Sequence, residues 1–128
     1  MSIETVRLNA RARKQLTAIK RRTGIENWNV LCRWALCISL AEEHPPADVE
    51  LGGDSAIEMT WKTFSGGYSE VYLGLLKQRC IADGMVPDTP VLVAELRKHL
   101  HRGIGYLANQ KNIQSIEEFI RLNAQNSI

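Results

Sequence analysis

From Val30 to Ala41 the chain runs twelve residues with a single charge, Arg33, and without glycine or proline. That is too short to cross a bilayer, which takes roughly 20 helical residues. As a helix it is apolar almost all round, and such a helix belongs in a core or a subunit interface. The rest of the chain has to supply the surfaces that cover it.

The flanking patterns name those surfaces. Ile3-Glu4-Thr5-Val6-Arg7-Leu8 is short and β-branched and reads as one strand that needs a partner strand. Asn9 offers an N-cap, and Ala12, Leu16 and Ile19 recur at i, i+4, i+7, so an amphipathic helix of about 14 residues is predicted to end at Gly24. Asn27 is expected to cap the apolar helix, with Trp28, Leu31, Trp34, Ala35 and Ile38 on it. His44-Pro45-Pro46 breaks the chain, an acidic loop follows, and Ile57, Met59 and Trp61 alternate with polar residues as in a half-buried strand. A third helix over 69–82 is predicted to bury Tyr72, Leu75, Leu76 and the stem of Arg79, ending at Asp83-Gly84. Pro90 opens a fourth with Leu92, Leu96 and Leu100 inward; Gly103 and Gly105 either interrupt or end it. Ser115 and Glu118 have capping-box spacing, predicting a last helix over 116–124 with Phe119 and Ile120 inward.

The reading is therefore a mainly α chain in one domain, 1–128, with three parts. Residues 1–43 form a strand-helix-helix module like that of ribbon-helix-helix proteins, 44–67 an acidic loop and one short β element, and 68–128 a helical part. In the ribbon-helix-helix class two chains pair their strands and interlock their second helices, which would satisfy the strand's backbone and cover the apolar helix. An oligomer is expected, with Trp28, Leu31 and Trp34 at its interface.

Charge is unevenly spread although the net value is +2. Residues 1–33 hold eight Lys or Arg against two acids; 34–70 hold one base against seven acids; 71–128 hold seven bases against five acids. Such a basic third points to a polyanion as partner. Arg7, Arg11, Lys14 and Arg21 fall near one line opposite Leu16 and Ile19, flanked by Lys20 and Arg22, and would contact backbone phosphates rather than read sequence. Neutralising about six phosphates predicts a slope of log affinity against log salt near −5. A second cluster, Arg97, Lys98, His101 and Arg102, is expected on the exposed side of the fourth helix, where its cations either add to the phosphate-binding face or complement the helix C-terminus. His99 and His101 lack i, i+4 spacing, so no metal is expected, and no nucleotide-loop, nucleophile-elbow or metalloprotease motif occurs. Neither catalysis nor a cofactor is expected. Cys32, Cys37 and Cys80 read as small buried hydrophobes, the three tryptophans as core, and the absence of an apolar leader predicts a cytoplasmic protein.

The segments 3–8, Lys20-Arg21-Arg22-Thr23-Gly24-Ile25-Glu26-Asn27-Trp28-Asn29, Leu31-Cys32-Arg33-Trp34-Ala35 and His101-Arg102-Gly103-Ile104-Gly105-Tyr106-Leu107 together resemble the DndE family, the small subunit of the DNA phosphorothioation machinery. The resemblance implies a homotetramer that binds double-stranded DNA, preferring nicked duplex, beside a sulfurtransferase-like and an ATPase-like subunit. It implies a place for Gly24 in the loop used in tetramer assembly, but no glycine role at Arg21. Two rival readings stand beside it. One is a ribbon-helix-helix repressor or antitoxin, the other an assembly adaptor that docks an acidic protein and never touches DNA.

Overall fold

In the computed structural model, which describes residues 3–48, 50–52 and 55–109, the order is β1 (Thr5–Leu8), α1 (Ala10–Thr23), α2 (Trp28–Ala41), β2 (Ile57–Thr60), α3 (Trp61–Ser65), α4 (Ser69–Ala82) and α5 (Thr89–Asn109). The last helix expected over 116–124 lies outside the described residues. Among those residues no helix is long and apolar enough to cross a membrane.

The lone strand finds its partner within the same chain. β1 pairs antiparallel with β2 in the register Thr5 to Thr60, Val6 to Met59, Arg7 to Glu58 and Leu8 to Ile57. The ribbon-helix-helix expectation called for a second chain's strand, and this pairing supplies the ladder instead. Val6 and Leu8 are buried, so one face of the sheet joins the core. β2 is shorter than its alternation suggested, because Thr60 stops it and caps α3 by accepting the Thr63 N–H at 3.1 Å. Trp61 is thus a helical residue. It is still buried, and its indole N–H donates to Ser69 Oγ at 2.8 Å.

α1 follows its sequence closely. The Asn9 side chain accepts the Ala12 N–H at 2.9 Å, Ala12, Leu16 and Ile19 are buried, and Gly24 ends the helix at φ +74°. A left-handed residue there costs glycine nothing. Asn27 does sit at the start of α2, but its side chain makes no capping bond.

Part of the apolar surface of α2 is covered within the chain. α5 packs along it and α3 abuts it, while α5 also packs on α1, α4 and β1. Leu31, Cys32, Ala35 and Leu36 are fully buried, so Leu31, expected at an oligomer interface, is a core residue. Arg33, the one charge in the apolar run, donates to the Phe64 carbonyl at 2.9 Å and holds the end of α3. α2 ends without a glycine and without a basic residue in its last turn. Two arginines from other helices also donate to its last carbonyls: Arg102 to Ser39 O at 2.7 Å, which the Glu42 N–H reaches too, and Arg79 to Leu40 O at 2.9 Å.

α4 buries Leu76 and Cys80, with Tyr72 half-buried, but Leu75, expected inward, is 42% exposed. Tyr68, Val71 and Ile81 are exposed with it. Cys37 is exposed as well, against the expectation that all three cysteines are buried. α5 runs uninterrupted through both glycines to Asn109. A Cβ at Gly103 would overlap the carbonyl of Ala35, so this glycine lets the α2 and α5 backbones touch.

Candidate nucleic-acid interface

α1 contains six basic residues and no acid. Its inward stripe points Ala12, Leu16 and Ile19 at the core, which turns Arg11, Lys14 and Arg21 outward on the opposite side, all exposed. Arg13, absent from the sequence-derived face, is exposed beside them. Ala10 and Ala18, also exposed, lie between these cations, so nothing bulky holds a polyanion away. Among the described residues none of these four side chains forms an ion pair.

The other predicted cations are engaged. Arg7 is exposed and pairs with Glu58 at 3.1 Å, its opposite number across the sheet. The Lys20 ammonium sits 5.3 Å from the centre of the Trp28 ring, a cation–π contact that also occupies Trp28. Arg22 donates to the Ala108 carbonyl at 2.9 Å.

The cluster on α5 is not the exposed patch that its sequence suggested. Arg97, Lys98 and Arg102 are each half-buried. Arg97 donates to Gly52 O at 2.7 Å and pins the loop before β2. Lys98 bridges Glu95 at 2.9 Å and Asp48 at 3.0 Å, and those two carboxylates raise its pKa. Arg102 reaches Ser39 Oγ at 2.8 Å and His44 O at 2.7 Å besides the Ser39 carbonyl. Sequence spacing located the outward-turning arc but carried no sign of the 44–52 loop folding over it.

Both histidines of α5 are held by neighbours. Ser39 Oγ lies 2.8 Å from His99 Nδ1 and accepts from Arg102 Nε at the same distance. Burial first, then the Arg102 and Arg79 charges, push His99 down to about 4. His101 accepts the Asn9 backbone N–H at 3.2 Å on Nε2, and its Nδ1 faces the Arg97 carbonyl at 2.7 Å. That pair of partners needs the neutral ring with Nδ1 protonated, and burial lowers the pKa accordingly.

Asp83, Glu95 and His99 bring one potential ligand atom each to within 4.8 Å of one another. Both carboxylates already have cations: Arg79 meets Asp83 at 3.0 Å, and Lys98 meets Glu95. The group reads as a fixed ion-pair network between α4 and α5, which buried charge requires. Cys32 is equally unsuited to chemistry, because burial pushes its thiol up to about 12.

Between the start of α1, the 46–51 loop and α5 lies a cleft of about 490 Å³. Arg11 and Gln15 line one wall, Pro46, Glu50 and Leu51 another, and Lys98, Arg102 and Tyr106 the floor. It adjoins the cationic face through Arg11.

Fold and surface together define a small helical protein with a two-stranded sheet, presenting an acid-free cationic helix beside a cleft of mixed lining. The family described as DNA sulphur modification protein DndE matches residues 5–115, and the chain belongs to that family. Its fold is similar to the crystal structure of DndE from Escherichia coli B7A, described as involved in DNA phosphorothioation modification. The TM-score is 0.70 at 21% sequence identity, over 84% of this chain and 98% of that one. No curated protein gives a match.

Proposed function

We propose that this chain is a non-catalytic DNA-binding subunit of the phosphorothioation machinery that grips the duplex backbone through the exposed face of α1. The observation that carries this reading is the quartet Arg11, Arg13, Lys14 and Arg21, without an ion pair among the described residues, on a helix with no acid. Membership of a DNA sulphur modification family supports DNA as the polyanion. Contacts of this kind follow phosphate spacing and ignore sequence. The reading includes a preference for nicked duplex, a homotetramer, and assembly with a sulfurtransferase-like and an ATPase-like subunit.

Fluorescence anisotropy against intact and nicked duplexes of unrelated sequences, across a salt series, tests it. The expected result is sequence-independent binding with a slope near −4, about one counterion for each cation of the quartet. Replacing Arg11, Lys14 and Arg21 together with Glu is expected to abolish binding while the circular dichroism melt stays unchanged. Wild-type affinity in that variant would remove α1 from DNA binding. Light scattering at a mass four times the 14.4 kDa chain supports the tetramer. The exposed apolar residues at and just before α4, Tyr68, Val71 and Ile81, favour a second reading as an assembly adaptor. Partner capture without any affinity for DNA at low salt would select it.

A further inference from the structure

The polar groups lining the cleft fall into two sets. Lys98, His101 and Arg102 are fully engaged by the protein, as described above. Arg11, Gln15 and Tyr106 line the same space, and no hydrogen bond holds their side chains among the described residues. Tyr106 is 38% exposed, so its ring is accessible. Gly105 lies next to it on the floor, where an added Cβ would meet nothing within 4 Å.

This second set has the chemistry of a nucleotide site. An aromatic face stacks on a base, an amide both donates to and accepts from a base edge, and a guanidinium pairs with phosphate. A volume of about 490 Å³ lies within the ~300–1,000 Å³ typical of small-ligand sites. A base stacked inside a duplex cannot enter such a cleft; only one turned out of the stack can. Arg11 belongs to both the α1 face and the cleft wall, so a backbone lying along α1 passes the cleft mouth. We infer that the cleft receives a single unstacked nucleotide of the bound DNA. Arg11 holds its phosphate, Tyr106 stacks on its base and Gln15 contacts the base edge. This rests on the DNA-binding reading above.

The test compares two labelled duplexes of equal length, one fully paired and one with a single unpaired nucleotide, by anisotropy. Stacking on one aromatic ring predicts a preference for the unpaired nucleotide on the order of tenfold in the wild type. Gly105→Leu fills the cleft from a position with open space around it, and is expected to bring the ratio to one while paired-duplex affinity and the melt are unchanged. Tyr106→Ala is expected to do the same by removing the stacking ring. Equal wild-type affinity for both duplexes, or a preference that survives Gly105→Leu, overturns the nucleotide site and leaves backbone binding standing. Binding of a free deoxynucleoside monophosphate without that preference overturns it too, because the cleft then serves a soluble nucleotide. If neither duplex binds, the DNA reading itself fails, and this site with it.

Discussion

At Gly103 the missing side chain is what brings two helices together. A Cβ there would collide with the Ala35 main chain, which cannot swing aside as a side chain can. Gly103→Ala should therefore destabilise the fold by about 3 kcal/mol, read by denaturant titration, although alanine favours helix more than glycine does. Gly105, two residues on, faces open space and tolerates the same change. The sequence presents both glycines alike, as possible breaks, because helix propensity is local and the reason for Gly103 lies on a helix some seventy residues earlier. Gly24 was legible, since a glycine after a basic last turn is a local signal and its φ of +74° answers it. Arg11, Lys14 and Arg21 were legible for the same reason, through helical spacing. The role of Arg102 was not, because its partners Ser39 and His44 come from another part of the chain.

At the scale of elements, α1, α4 and the start of α5 were readable from capping residues and apolar spacing. The short α3 and the pairing of β1 with β2 were not, because a strand's period shows its faces and not its mate. The most consequential element is α2, whose C-terminus depends on donors from elsewhere. Ser39 O and Leu40 O are bound by Arg102 and Arg79, so α4 and α5 help to close a helix that α5 and α3 pack against. Arg102→Met keeps much of the stem and removes the donors. It should cost about 2 kcal/mol in a denaturant titration, because the buried Ser39 hydroxyl loses its charged donor. DNA affinity measured well below the melting temperature should stay near wild type. A loss of affinity with unchanged stability would return Arg102 to the DNA face.

For the molecule as a whole, acid should act through α5. His99 is neutral in the fold, with its ring held down to about 4 and facing Arg102, Arg79, Lys98 and Asp83, whereas in the unfolded chain it titrates near 6.5. A folded pKa below the unfolded one means that the unfolded chain binds the proton first. Stability is then complete above about pH 6.5 and falls as the pH drops toward 4, by on the order of 3 kcal/mol in total. His101, lowered in the same direction, adds to this. Chemical denaturation from pH 7 to 4 measures the slope, and His99→Gln should flatten it; an unchanged slope would place the proton uptake elsewhere. The sheet has a consequence of another kind, in time rather than in energy. Thr5 pairs with Thr60, so on the ribosome the first strand emerges long before its mate, and α5, which covers α2, follows later still. Helices can form as they appear, but the contacts joining them close late, and the nascent chain carries an unpaired strand until β2 emerges and a bare apolar helix until α5 does.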